Sequence, residues 1–143
     1  MEANLVLRSL SACMAIAVGM VWLYGVAPAG AQEEKPYSVV DGKVDKATFN
    51  GYRRYTDACM RCHGPDGSGS SYAPNLTDSL KTMPYEGFTE VVINGRTNVT
   101  GTQKNVMPGF GNSEDVALYI DDIYGYLKAR SDGVVGRGRP QRQ

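Results

Sequence analysis

The sequence predicts an all-α fold in one small domain. Apolar residues recur at helical spacing in three stretches, and glycine-rich segments separate them. No run alternates apolar and polar residues in the manner of a half-buried strand, and no internal repeat is present. The 143 residues are too few for two ordinary domains.

Residues 1–31 read as a cleaved secretory signal. Arg8 supplies the basic start, Leu10 to Tyr24 is apolar without a charge, and Ala29-Gly30-Ala31 offers a small-residue cleavage site before Gln32. An uncleaved anchor is the alternative, but the run is short of the ~20 apolar residues a membrane span needs. Most of the apolar run follows Cys13 rather than preceding it, which argues against lipidation, and no twin arginine is present. Removing this segment leaves 112 residues with 14 basic and 14 acidic side chains, a balance with no sign of nucleic-acid binding. The neutral total also predicts little long-range steering.

Along the remaining chain, residues 32–44 (QEEKPYSVVDGKV) are polar and broken by proline and glycine, and are expected to be a flexible leader. The domain proper is expected over 45–132. Asp45 is placed to cap a helix running to about Ala58, with Phe49, Tyr52, Tyr55 and Cys59 near helical spacing. Gly64 to Ser71 is predicted as loop. A short helix from Tyr85 to about Ile93 stops at Asn94-Gly95, and residues 96–112, polar and glycine-containing, are predicted as another loop. The last helix starts at Asn112 or Ser113, where Val116, Ile120, Ile123 and Leu127 repeat on one face, and ends before Gly133. Residues 133–143 are expected to be a basic, flexible tail. Gly51 and Gly125 fall inside helices at a cost of ~1 kcal/mol each relative to alanine, which close helix–helix approach would justify.

The most specific motif is Cys59-Met60-Arg61-Cys62-His63, the C-x-x-C-H signature of covalent haem c attachment. Two thiols three positions apart can bond the two vinyl groups of one haem, and the adjacent histidine then lies beneath the iron. Cys59 and Cys62 are the only cysteines after residue 31, and His63 is the only histidine in the chain. A zinc site would want about four Cys or His ligands and only these three are present. A thioredoxin-like pair would leave the histidine unexplained and lacks its βαβ setting. Haem of this kind is attached outside the bacterial cytoplasm in most systems, so motif and signal agree on the periplasm. For the iron's other face, Met60 lies between the two cysteines and cannot reach it. Met83 and Met107 are both followed by proline, which leaves the local sequence undecided.

The chain resembles the class I c-type cytochromes over nearly all of its mature length. Gly51, Tyr55 and Cys59 match that family's first helix, and Ile123, Gly125, Tyr126 and Leu127 its last. The two helices cross there through a small residue on each. The resemblance implies a single-domain cytochrome c fold around one haem c. It implies that the Pro74 carbonyl of Ala73-Pro74-Asn75-Leu76 accepts a hydrogen bond from the ligand histidine, and that Leu76 packs beside the ring. It places the axial methionine in the loop before the last helix, which selects Met107 (in NVMPGFG) over Met83. With His63 and Met107 as permanent ligands the iron exchanges one electron with no open coordination position. No second histidine or carboxylate pair suggests catalysis, so an electron-transfer protein and not an enzyme is expected. Asp121-Asp122 reads as a solvated face, with an ion site as speculation.

Residues 45–140 further resemble the small periplasmic cytochromes that serve pyrroloquinoline-quinone (PQQ) alcohol dehydrogenases, above all the lanthanide-dependent methanol dehydrogenases of methylotrophs. The strings that carry this are GYRRYTDACMRCHGPDGSGSSYAPNLTDSLKTMPYEGF, YIDDIYGYLKARSDG and GRGRP. What the resemblance implies is a monomer that takes single electrons from such a dehydrogenase and delivers them to a downstream cytochrome c or a terminal oxidase. Two rivals keep the same motif: a general periplasmic carrier, and a haem enzyme or sensor with a labile sixth ligand.

Overall fold

The computed structural model describes residues 34–143 apart from 101 and 102; the signal segment lies outside the described residues. Among the described residues, six α-helices and one 3-10 turn surround a core of Tyr55, Leu80, Phe88, Val92, Val116, Ile123, Tyr126 and Leu127, each no more than 6% exposed. The chain runs β1 (Val39–Val40), β2 (Lys43–Val44), α1 (Lys46–Ala58), α2 (Met60–His63), a 3-10 turn (Pro65–Gly67), α3 (Leu76–Ser79), α4 (Tyr85–Asn94), β3 (Arg96–Thr100), β4 (Gln103–Met107), α5 (Glu114–Ala117), α6 (Ile120–Ser131) and β5 (Gln141–Arg142).

Helix α1 starts where Asp45 caps it, the carboxylate accepting from the Thr48 amide at 2.9 Å. It packs mainly on α6. A Cβ built on Gly51 would lie 1.8 Å from the Asp122 carbonyl oxygen, so the two backbones cross where only glycine fits. Gly125 does not make the matching approach to α1. Its missing Cβ admits the Pro36 carbonyl, 2.3 Å from where that atom would sit. The glycine of α6 therefore seats the N-terminal segment, and the crossing uses one glycine rather than two. Val116, Ile120, Ile123 and Leu127 are all buried as their spacing predicts, but the helix is broken at Leu118-Tyr119 into α5 and α6.

Three expectations need correction. The fold is not all-α: β1, β2 and β5 form one small sheet, and β3 and β4 form an antiparallel hairpin inside the segment predicted as loop 96–112. Residues 34–44 are not a loose leader. Asp41 (φ 50°) and Gly42 (φ 74°) make a two-residue hairpin turn that pairs β1 with β2 and leaves Val44 fully buried. Nor is the tail loose. Val135 is 6% exposed, β5 runs parallel to β2 with Val44 opposite Arg142, and the Gly138 amide donates to Asp66 Oδ1 at 3.0 Å. Burial of Val135 and Val44 offsets the ordering entropy that a wholly polar tail could not.

Candidate functional site

One apolar cavity of about 470 Å³ opens between the end of α1, the 62–76 segment, α4 and the β3–β4 hairpin. Cys59, Cys62, His63, Pro74, Leu76 and Met107 all line it, so the six candidate haem-site residues meet at one place. Cys59 ends α1, and its carbonyl accepts from the Cys62 and His63 amides at 3.1 and 3.0 Å, winding the motif into the single turn of α2. Both thiols are free, Cys59 half-buried and Cys62 exposed. Burial pushes the Cys59 thiol up to about 11, with Cys62 beside it adding to the shift.

His63 is 6% exposed, and burial holds it below its ordinary range despite the opposing bond to Pro74. Its Nδ1–H donates to the Pro74 carbonyl at 3.2 Å. That fixes the tautomer and leaves Nε2 as a lone pair, without a hydrogen-bond partner among the described residues. The carbonyl is itself positioned, because the next residue, Asn75, caps α3 by accepting from the Thr77 amide at 2.9 Å. The loop between is tied from beneath. The Tyr55 hydroxyl donates to the Gly64 carbonyl at 2.5 Å and accepts from the Gly67 amide at 2.9 Å. Burial pushes that phenol up to about 12, keeping it protonated as the donor role needs.

Met107 ends β4 and is half-buried on the cavity wall. The chain just after it is hung on α4, with Phe110 N–H donating to Val92 O at 2.8 Å and Gly111 N–H to Ile93 O at 3.1 Å. Met83 lines the same cavity, whereas Met60 is 38% exposed and does not. Two thioethers thus remain within the wall, as the paired Met-Pro strings had left them. Asp121 and Asp122 are engaged separately, by the Tyr85 hydroxyl and by the Asn50 amide (2.7 Å), and no metal-holding acidic cluster exists among the described residues.

Sequence reasoning missed the hairpin's contribution. Arg96, Asn98, Asn105 and Met107 share one face of β3–β4 and line the cavity; Val106, 60% exposed, also borders it, and Val99 is 68% exposed. Arg96 is the one lysine or arginine among the described lining residues, and its Nε donates to Asn98 Oδ1 at 3.2 Å. The β-branched Thr97, Val99 and Val106 were the available signal. The whole donor set suits a haem c: two thiols, an imidazole with a free lone pair, thioether sulfur, apolar walls, and an arginine at the rim suited to the ring's carboxylates.

Residues 47–127 match the family described as cytochrome c oxidase, cbb3-type, subunit III. The chain is 46% identical over 96 residues to cytochrome c-555 of Methylococcus capsulatus, covering 66% of this chain and 72% of that one. This chain is a class I c-type cytochrome. It is 48% identical over 114 residues to cytochrome c-553I of Paracoccus denitrificans, covering 79% of this chain and 50% of the relative. The crystal structure of the c-type cytochrome XoxG from Methylobacterium extorquens AM1 superposes with a TM-score of 0.67 at 46% identity, over 74% of this chain and 65% of that one. The cytochrome therefore spans about half the length of cytochrome c-553I and about two thirds of XoxG. As a member of this family it binds haem c covalently.

Proposed function

We propose that this cytochrome works in the periplasm, taking single electrons from a PQQ-dependent methanol or alcohol dehydrogenase of the lanthanide type. It passes them to a downstream cytochrome c or terminal oxidase. The observation that carries the electron-transfer role is His63 and Met107 in the wall of one apolar cavity that no carboxylate lines among the described residues. The partner class is supported by the resemblance of residues 45–140 and by 46% identity to XoxG.

When bound, haem c supplies the one-electron iron couple. Cys59 and Cys62 would tether it, His63 Nε2 and Met107 sulfur would ligate the iron, and Leu76 would pack beside the ring. The bond from His63 Nδ1–H to Pro74 makes the imidazole a stronger donor and prevents its rotation. Thioether sulfur favours the reduced metal and raises the potential. Core side chains Val92, Ile123 and Leu127 exclude water from the inner wall. Cys62 and Tyr72, the latter 75% exposed, mark where the cavity wall meets solvent and a partner can approach.

The test is rapid-mixing reduction of the oxidised holoprotein by a purified lanthanide-type dehydrogenase with methanol, beside unrelated periplasmic dehydrogenases. Preference of at least about tenfold for the quinoprotein is expected. Equal rates with all donors would replace the dedicated role with a general carrier. Carbon monoxide binding to the untreated reduced protein would replace both with a labile-ligand enzyme or sensor.

A further inference from the structure

The ordered tail has a consequence for charge. The sequence is neutral, but residues 32–130 carry 11 basic and 13 acidic side chains, while residues 131–143 carry three arginines and one aspartate. One of the three, Arg137, faces the Asp66 carboxylate at 3.6 Å. The other two are brought back by the β2–β5 pairing onto the first turns of α1. The guanidinium of Arg139 lies 5.2 Å and that of Arg142 5.7 Å from the centre of the same Phe49 ring. Arg53, one helical turn beyond Phe49, completes the wall of an open depression of about 700 Å³ there, with Pro140, Gln141 and Gln143. Arg53, Arg139 and Arg142 are exposed, and none forms a salt bridge among the described residues.

Two guanidinium groups held against one ring repel each other. Their attraction to the ring is worth only ~0.5–1 kcal/mol each at an exposed site. An anion presented to the depression removes the repulsion, and the planar fork of arginine suits a carboxylate. The depression is open, and no buried polar side chain encloses it. It thus suits carboxylates projecting from a large convex surface better than a small sequestered anion. Its place on the molecule also fits a protein partner. Phe49 and Cys59 lie at opposite ends of α1, ten residues or ~15 Å apart. A standard interface of ~800 Å² per side is roughly 30 Å across and spans both.

We propose that Arg53, Arg139 and Arg142 form a docking surface for an acidic patch on the electron-transfer partner, set to one side of the haem cavity so that it orients the encounter. The proposal rests on the dehydrogenase reading only for the identity of that partner. The attraction between charges across such an exposed surface weakens as salt rises.

The experiment uses the holoprotein, an Arg139→Gln/Arg142→Gln variant and an Arg139→Lys/Arg142→Lys variant, with three probes. These are a ten-residue oligoglutamate peptide, phosphatidylglycerol vesicles and the purified dehydrogenase. At ~0.02 M salt the glutamine pair is expected to weaken peptide binding and slow reduction by the dehydrogenase about tenfold. At ~0.5 M salt the difference should vanish, and the lysine pair should stay within about threefold of the native protein. Reduction by uncharged hydroquinone and the haem spectrum should be the same in all three. Native-like peptide binding by the glutamine pair would overturn the proposal. So would an equal loss in the lysine pair, which would make the arginines packing groups, or binding of vesicles without binding of peptide. If the peptide binds through the arginines but the dehydrogenase does not reduce the native protein, the docking surface stands and the dehydrogenase reading fails.

Discussion

The histidine wall of the cavity and the methionine wall are built by different means. Around His63, α1, the loop from Gly64 to Pro74, α6 and the tail converge. Tyr55 of α1 bridges Gly64 and Gly67, and the Gly69 amide donates to the His63 carbonyl at 2.7 Å. The Ser70 hydroxyl donates to the Cys62 carbonyl at 2.5 Å, and Pro74 receives the imidazole. From α6 and the tail, Arg130 Nε donates to the Asp66 carbonyl at 3.2 Å and the Gly138 amide to its carboxylate. Around Met107 the β3–β4 hairpin pairs, among the described residues, only with itself, and the tie to the core is made beyond the strand, through Phe110 and Gly111 on α4. A wall secured by several elements from distant parts of the chain opens only with global unfolding, whereas one hung from a single helix can open alone. The imidazole side is thus the fixed reference of the site, and the sulfur side is where a ligand would first let go.

Removing a covalent tether tests the fixed side most severely. Cys62→Ala is expected to abolish nearly all haem-stained protein in the periplasm, because the apo chain leaves an apolar cavity of about 470 Å³ with nothing to fill it. A Cys59→Ala/Cys62→Ala chain with native-like helical circular dichroism would show that the His63 wall stands without haem.

Next in size is the choice of sulfur. Met107→Ala is expected to remove the far-red sulfur-to-iron absorption band, lower the potential and let carbon monoxide bind. Met83→Ala should keep the band and lose only its packing, ~2 kcal/mol for a half-buried methionine. The opposite result would move the ligand to the segment before α4 and with it the weak wall.

The two walls were unequally legible in the sequence for a physical reason. Cys59, Cys62 and His63 are contiguous, and helix geometry alone turns their spacing into a site. The methionine had to be chosen between two Met-Pro strings, and that choice depends on tertiary approach, which puts both in the cavity wall. The Asp41-Gly42 pair is a hairpin-turn signal, but it sits in a polar segment broken by proline and glycine, whose composition masks it. The parallel pairing of β5 with β2 joins residues about 100 positions apart, and no local pattern announces it. Glycine at position 51 of a helix signals the close approach to α6; that Gly125 meets Pro36 and not α1 follows only from the path of the N-terminal segment.

A smaller loss should follow from Tyr55→Phe. The ring and its packing on Tyr126 (centroids 5.6 Å apart) stay, but the Gly64 carbonyl and Gly67 amide lose their shared partner. The expected cost is ~2 kcal/mol in denaturant unfolding of the holoprotein. A change under ~0.5 kcal/mol would mean that water substitutes for the phenol and that the His63 wall is less tightly fixed than its bonds imply.

Asp45→Ala removes the cap from the start of the helix that carries this wall, at ~1 kcal/mol. Partial burial opposes the charge on Asp45, yet the Thr48 amide and hydroxyl and the Ser38 amide outweigh it and hold the carboxyl below its ordinary range. A carboxyl lowered on folding stabilises above its unfolded value and loses that contribution as pH falls through the folded one. The difference between native and Asp45→Ala should be full at neutral pH and shrink below pH ~4, measured by urea unfolding. A constant difference would assign the effect to lost packing and not to the carboxylate.

The smallest effect should come from the methionine wall itself. Asn98 is exposed on β3, and among the described residues its one side-chain hydrogen bond is with Arg96 of the same strand. Asn98→Ala should therefore change global stability by less than ~0.5 kcal/mol. Its consequence should be local, in amide hydrogen exchange of the holoprotein. Amides of residues 97–99 and 105–106 should exchange through openings of lower free energy than those of Gly67 and Gly69, and Asn98→Ala should lower the hairpin values further while leaving the loop values fixed. If the hairpin and the loop instead exchange at one common free energy, the two walls belong to a single cooperative unit, and the weakness assigned to the methionine side would have to arise at the iron–sulfur bond and not in the backbone that presents it.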